Sequence, residues 1–177
     1  ILSMKIAPFA IEHYFARYEF TTPYLLCSSD CETISVNELL EMSGYSAAGL
    51  GNLKLGYTES QGSPSLRTEI AKNYLTVSLD DIIVLASPEE GIYLTMRALL
   101  DQGDHVVVAT PAYDSLLNLA QHISGNISRW EVRAEKSGWI FDTDELAALV
   151  TAQTKLVVIN FPHNPTGFLP SLKQLQE

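Results

Sequence analysis

The stretch "TKLVVINFPHNPTG" (residues 154–167) joins an apolar run to a segment that can form neither strand nor helix. The apolar run is rich in β-branched residues and lacks polar alternation, which is typical of a strand buried on both faces. Behind it, Pro162 and Pro165 restrict the backbone and Gly167 allows a tight turn. Asn164 lies between the prolines, and its amide can donate or accept a hydrogen bond. We therefore predict a buried strand that ends in a rigid loop presenting one amide, with a plain turn as the alternative.

Outward from this stretch, apolar runs alternate with helical patterns. Strands are predicted at 81–86, 105–110, 127–133 and 154–161, and helices at 36–43, 88–100, 112–123 and 142–150, with one more starting just after Pro64. Strands of this kind, separated by helices of about ten residues, call for right-handed parallel crossovers. The predicted fold class is α/β, a doubly wound and mostly parallel sheet. We interpret the irregular residues 1–60 as an arm and connecting segment.

Composition excludes several classes of protein. The 177 residues are 46% hydrophobic and 18% charged, as in one globular domain with a core. The formal net charge of −10 disfavours nucleic acid as a partner. No apolar run approaches the roughly 20 residues of a membrane helix, and the N-terminus shows no leader, so we expect no membrane partner and a cytoplasmic location. Cys27 and Cys31 lack a second Cys/His pair nearby, so we predict ordinary reduced thiols and no metal site.

Ligands of open parallel sheets bind beyond the carboxyl ends of the strands, so the segments there are the candidates for a site. "SPEE" (87–90) predicts a capping box between Ser87 and Glu90, although a helix start is also a ready anion site. In "TPAY" (110–113), Tyr113 could cover a planar ligand or simply pack on the edge of the core. The third segment is the loop of Asn164.

Three blocks resemble one family in order and spacing. "GYTESQGSPSLRTEIA" (56–71), "LLDQGDHVVVATPAY" (99–113) and "VVINFPHNPTG" (157–167) are similar to the N-terminal half of class I/II aminotransferases, which are fold-type I enzymes of pyridoxal phosphate (PLP). The resemblance implies a partial PLP-binding large domain over residues 61–177, after the arm at 1–60. It also implies PLP as cofactor and, as substrates, an amino acid and a 2-oxo acid.

The resemblance assigns roles to several residues. Asn164 matches the asparagine that hydrogen-bonds the phenolic oxygen of the cofactor ring, and the peptide bond before Pro165 is expected to be cis, as is common in the family. Tyr113 matches the aromatic residue that stacks on the pyridine ring. Tyr57 matches the tyrosine that reaches the cofactor phosphate of the neighbouring subunit, which implies a homodimer.

Two departures from the family pattern concern the rest of the site. Pro88 and Glu89 stand where the family has small residues whose backbone amides hold the cofactor phosphate, and Pro88 has no N–H to offer. The chain stops at Glu177, whereas the Schiff-base lysine of the family lies farther along, so the resemblance assigns no catalytic residue here. We expect this chain to be part of a longer protein or to be held by a partner copy.

The leading functional hypothesis is therefore a PLP-dependent aminotransferase, with this chain inactive alone. A lyase, decarboxylase or synthase of the same fold is the alternative, because Asn164 and Tyr113 would serve the ring whichever bond of the substrate breaks. A non-catalytic fragment is a third possibility.

Overall fold

The computed structural model describes residues 6–28, 30–136 and 138–176. The chain divides into two compact units. The sheet unit comprises Ile1–Arg17 and Ala86–Glu177, and the arm unit comprises Tyr18–Leu85. The domain division predicted after residue 60 stays a prediction.

The described secondary structure alternates helices and strands in the second half of the chain. The helices are α1 (Ala10–Tyr18), α2 (Val36–Ser43), α3 (Ala47–Gly51), α4 (Pro64–Ala71), α5 (Pro88–Leu99), α6 (Asp114–Ile123), α7 (Thr143–Leu149) and α8 (Leu172–Gln176). The strands are β1 (His105–Thr110), β2 (Asn126–Glu131), β3 (Arg133–Glu135), β4 (Gly138–Ile140) and β5 (Thr154–Val158). The predicted helices at 36–43, 88–100, 112–123 and 142–150 are confirmed to within two residues at each end, and the helix predicted to start just after Pro64 is α4, which begins at Pro64 itself.

A three-stranded parallel sheet of order β2-β1-β5 forms the centre of the sheet unit. Every residue of β1 is buried. On one face Val106 and Val108 pack with Met96 of α5, with Leu100 directly after that helix, and with Ala120 and Ile123 of α6. On the other face Val107 and Ala109 pack with Trp130 and Phe141, beside Leu146 and Leu149 of α7. Since helices cover both faces, the predicted α/β fold with a parallel sheet is confirmed.

The prediction of a strand at 81–86 is wrong. A 3-10 turn at Leu79–Asp81 is followed by extended residues that form no ladder. A strand needs a partner along its length, and here the Val84 N–H donates to the Gln61 carbonyl (2.8 Å) without further pairing. The segment instead lies against Gly62, where an added Cβ would come within 2.7 Å of the Val84 Cβ, so the close approach requires glycine.

Two predicted strands are shorter than expected. The one predicted at 127–133 leaves the sheet after Glu131, and the chain then forms the antiparallel hairpin of β3 and β4. The one predicted at 154–161 ends at Val158.

None of the helices in the described ranges has the length and apolar character needed to cross a bilayer. Cys27 and Cys31 are exposed and unbridged.

Candidate functional site

The candidate site lies at the carboxyl edge of the sheet, where β1 runs into "TPAY" and β5 runs toward "PHNPTG". His163 joins these two segments. Its Nε2 lies 2.8 Å from the carbonyl oxygen of Pro111. A carbonyl can only accept, so Nε2–H donates to it. The segments that the sequence singled out at the ends of two parallel strands therefore meet.

The loop after β5 is closed by its own hydrogen bonds. The His163 N–H donates to the Phe168 carbonyl (2.8 Å), and the Gly167 N–H donates to the His163 carbonyl (2.6 Å). Gly167 has a φ of 70°, the left-handed region that glycine adopts readily. The peptide bond between Asn164 and Pro165 is cis, as the resemblance implied. The break in regular structure predicted here is therefore confirmed.

The imidazole of His163 is buried and is fixed by a ring contact and by hydrogen bonds at both of its nitrogens. Its side chain is 2% exposed, and the Phe141 ring lies 4.8 Å away, centroid to centroid. Because Nε2 carries the hydrogen, Nδ1 accepts from the Thr166 hydroxyl at 2.7 Å, and that hydroxyl accepts from the Phe168 N–H at 3.2 Å. Burial lowers the pKa of His163 below its ordinary value, although the hydrogen bond to the Pro111 backbone opposes the change. The ring is therefore neutral at neutral pH.

Tyr113 stands directly before α6 and is half-buried. The ring of Phe9 meets it edge-on, with centroids 4.8 Å apart and planes at 80°. Burial, then the negative charge of Glu89 and a hydrogen bond to it, and more weakly Glu12 and Asp114, raise the pKa of Tyr113. The phenol consequently stays protonated and donates toward Glu89, which brings the start of α5 to the same edge.

The first turn of α5 is partly capped. The Ser87 hydroxyl accepts from the Glu90 N–H (3.3 Å), which confirms half of the predicted capping box. The other half is wrong, because the Glu90 carboxylate accepts from the Ala86 N–H (2.8 Å) and not from Ser87. Pro88 has no N–H, and the Gly91 N–H donates to the Ser87 carbonyl (3.4 Å). The Glu89 N–H and the Ser87 hydroxyl hydrogen remain as donors of this turn.

The other predicted site residues are exposed. The side chain of Asn164 is open to solvent and makes no hydrogen bond with the part of the chain that the structure describes. Tyr57 belongs to the arm unit, where its side chain is fully exposed. The structure thus brings Tyr113, Glu89 and the Asn164 loop together within one unit, with Pro88 at the start of the same helix.

Sequence reasoning missed two residues of this edge. His163 lies in the predicted loop, and a histidine between two prolines beside an apolar run is a signal for a buried polar link. Phe9 carried no signal, because its contact with Tyr113 joins residues about a hundred positions apart.

Comparison with known proteins identifies the family. Its sequence profile, "Aminotransferase class I and II", matches residues 25–177. The aspartate aminotransferase of Pyrococcus horikoshii is 32% identical over 116 residues, which are 63% of this chain and 29% of that protein. The capreomycidine synthase of Streptomyces vinaceus is 40% identical over 108 residues, which are 61% of this chain and 28% of that protein.

Solved structures agree with this assignment. A PLP-dependent aminotransferase from Streptococcus suis matches with a TM-score of 0.89 at 25% identity, covering 98% of this chain and 47% of that one. The PLP-dependent cyclase OrfR matches with a TM-score of 0.85 at 32% identity, covering 99% of this chain and 46% of that one. The chain thus spans about half the length of these two structures. The chain belongs to the aminotransferase class I and II family.

Proposed function

We propose that the protein carrying this chain is a PLP-dependent aminotransferase that passes an amino group between an amino acid and a 2-oxo acid. Family membership supports the reaction class. The observation that carries the proposal is the hydrogen bond from His163 to the Pro111 carbonyl, because it joins the loop of Asn164 to the segment of Tyr113. An amide and an aromatic ring at one sheet edge suit a planar heteroaromatic cofactor.

The donor set of this edge fits the ring of PLP. Tyr113 supplies a half-buried aromatic surface, and Asn164 supplies an amide whose hydrogens have no acceptor within the described residues. We assign the Asn164 amide to the phenolic oxygen of the ring and the Tyr113 ring to one of its faces. When bound, PLP supplies an electron sink for the bonds at the substrate α-carbon, and the protein supplies orientation and electrostatics.

Fewer hydrogen-bond donors are available for the phosphate group of PLP. In the first turn of α5, Ser87 and Glu89 offer one hydroxyl hydrogen and one N–H, and the positive end of the helix favours an anion there. Pro88 has no N–H and therefore contributes no hydrogen-bond donor to the phosphate. The carboxylate of Glu89 opposes a phosphate, and its hydrogen bond from Tyr113 reduces that opposition.

We assign the missing donor to Tyr57 of a second copy, which makes the protein a homodimer. The full exposure of Tyr57 supports a role outside its own chain. The cytoplasmic location stays a prediction.

A second reaction, a cyclisation or synthase reaction on the same cofactor, is favoured by one observation. Capreomycidine synthase and the cyclase OrfR match this chain at 40% and 32% identity. Asn164 and Tyr113 would hold the ring in either reaction, so residues of this edge do not discriminate between them.

Isotope transfer separates the two reactions. The protein carrying this chain, loaded with PLP, is incubated with ¹⁵N-labelled amino acids with and without unlabelled 2-oxo acids, and the products are analysed by mass spectrometry. An aminotransferase moves ¹⁵N to the 2-oxo acid, and without it converts no more than one equivalent of amino acid per bound cofactor. A cyclase converts the amino acid without a 2-oxo acid and leaves the label in place. Absence of both conversions contradicts the proposal.

A binding experiment tests the site itself. Asn164→Asp keeps the side-chain size but replaces the amide donor with a negative charge. One hydrogen bond to a charged group contributes about 1.5–3 kcal/mol, so we expect PLP affinity to fall about 10- to 150-fold. Asn126→Asp is the matched control, because Asn126 is an exposed asparagine at the opposite edge of the same sheet. Equal losses in both variants would contradict the assignment of Asn164.

A further inference from the structure

We infer that His163 is a positioning residue that holds the Asn164 loop at a set distance from the Tyr113 segment, and thereby sets the affinity of the site for the cofactor ring. The inference rests on the proposed function. His163 itself is buried and faces Pro111, Thr166 and Phe141, so it is not placed to touch a ligand.

Asn164 depends on its backbone for its orientation. Its side chain is exposed and makes no hydrogen bond with the described chain. Its position therefore follows from the backbone on either side. That backbone is fixed within the loop by the bonds between His163 and Phe168 and between Gly167 and His163. These bonds shape the loop but do not attach it to the segment of Tyr113.

The imidazole of His163 attaches the loop to the segment of Tyr113. Nε2–H donates to the Pro111 carbonyl, 52 residues away in sequence and two positions before Tyr113. Nδ1 accepts from Thr166 in the same loop as Asn164. The ring thus uses one nitrogen for each segment. Because the Phe141 ring packs against it at 4.8 Å, it has no room to turn away.

Two amide variants separate the two nitrogens. In His163→Gln the side-chain amide reaches the place of Nε2, can donate to the Pro111 carbonyl and keeps the attachment. In His163→Asn the shorter amide occupies the place of Nδ1, keeps the contact with Thr166 and loses the attachment. Thr166→Val is the matched control, because it removes the contact inside the loop and leaves the Pro111 bond intact.

The first measurement is PLP affinity of the protein carrying this chain, with melting temperature measured in parallel. A typical net hydrogen bond corresponds to about 3- to 10-fold in affinity, so we expect a loss of that size in His163→Asn. We expect His163→Gln and Thr166→Val to stay within about 2-fold of wild type, even where their melting temperatures fall. A purely structural role would instead make affinity follow melting temperature across the three variants, and that result would overturn the inference.

The second measurement needs no cofactor. Hydrogen exchange of backbone amides is followed by NMR in the ligand-free protein. The reporters are Gly167 and Phe168 in the loop, together with Leu116 and Val132, whose N–H groups donate to the carbonyls of Tyr113 (2.9 Å) and Thr110 (2.8 Å). We expect exchange to accelerate at both pairs of amides in His163→Asn and to stay near wild type at Leu116 and Val132 in His163→Gln. Unchanged exchange at Leu116 and Val132 in His163→Asn overturns the inference whether or not PLP binds. Wild-type protein that fails to bind PLP while exchange at both pairs accelerates in His163→Asn would contradict the proposed function and leave the attachment standing.

Discussion

The two units of this chain differ in what holds them together. Every hydrophobic side chain that is buried in the described chain belongs to the sheet unit, from Met96 to Val158. The arm unit, in its described residues, buries Arg67 and no hydrophobic side chain, and it exposes Leu55, Tyr57 and Leu75 almost completely. Both units contain helices with proper N-caps. Local sequence signals are therefore enough to form a helix in either unit, but only the sheet unit has a core.

In part of the arm unit, hydrogen bonds of the buried Arg67 side chain link segments that no hydrophobic core holds together. Its Nε donates to the Gly62 carbonyl (3.0 Å), and its Nη1 donates to the Leu79 carbonyl (2.8 Å) and to the Gln61 side chain (3.2 Å). These bonds join α4 to the segments on both sides of it. Apolar packing therefore stabilises the sheet unit, whereas directional polar contacts stabilise the arm unit.

The largest expected effect is in the core of the sheet unit. Phe141 is 3% exposed and its ring contacts those of Trp130, Phe161 and Phe168 at 4.9–5.3 Å. Phe141→Ala should lower the free energy of unfolding by about 3–5 kcal/mol through lost burial and a cavity. Urea unfolding followed by tryptophan fluorescence measures it, since both tryptophans, Trp130 and Trp139, lie in the sheet unit.

The control for this variant comes from the arm unit. Leu55 is 96% exposed, so Leu55→Ala should change the unfolding free energy by less than about 0.5 kcal/mol. A comparable loss in both variants would contradict the difference between the units.

A smaller and local effect is expected for Arg67→Met, which keeps an unbranched side chain but removes the donors to Gly62, Gln61 and Leu79. Leaving their oxygens without these partners should cost about 1–3 kcal/mol of local stability. We expect faster hydrogen exchange from residue 61 to residue 84 and little change in tryptophan fluorescence. Arg97→Met, at an exposed position of α5, is the matched control and should leave exchange in that segment unchanged. Equal exchange in both variants would show that the arm unit has another source of order.

The two N-caps allow the same substitution to be compared in both units. Ser35 and Glu38 form a full capping box at α2, with Ser35 N–H to Glu38 at 2.6 Å and Glu38 N–H to Ser35 at 3.2 Å. Loss of an N-cap costs about 0.5–2 kcal/mol. Because α2 buries no residue, Ser35→Ala should fray that helix alone, as measured by amide exchange in 36–43. Ser87→Ala should instead shift the urea midpoint of the sheet unit. The reverse pattern would contradict the comparison.

The smallest expected effect is a pH dependence confined to the sheet unit. Burial lowers the pKa of His163 below its ordinary value of 6.5, so the unfolded chain binds a proton more readily than the folded one. The stability that His163 contributes is therefore complete above about pH 6.5 and is lost as the pH falls through its folded pKa. Urea unfolding between pH 7.5 and 5 should show this decline in wild type and a shallower one in His163→Gln. An equal decline in both would assign it to other groups.

The elements of the fold followed from the sequence where local signals and burial agreed. The run 105–110 is a strand and the capped pattern at 36–43 is a helix, as predicted, while the strand predicted at 154–161 ends at Val158 and the helix predicted at 88–100 ends at Leu99. The run 81–86 has the same β-branched composition but forms no strand. A strand depends on a neighbour as well as on its own residues, and composition alone does not report whether that neighbour is present.

The parallel α/β fold, the family, and the break after β5 that places Asn164 in a loop can be predicted from the sequence, because they depend on hydrophobic pattern, local motifs, proline and glycine. Which side chains link distant segments follows from the packing of the folded chain. His163 reaches Pro111, and His105 joins Ser128 of β2 to Thr154 of β5. Such links depend on register and crossover packing over tens of residues, and a buried polar side chain takes whichever partner that packing places within hydrogen-bonding distance.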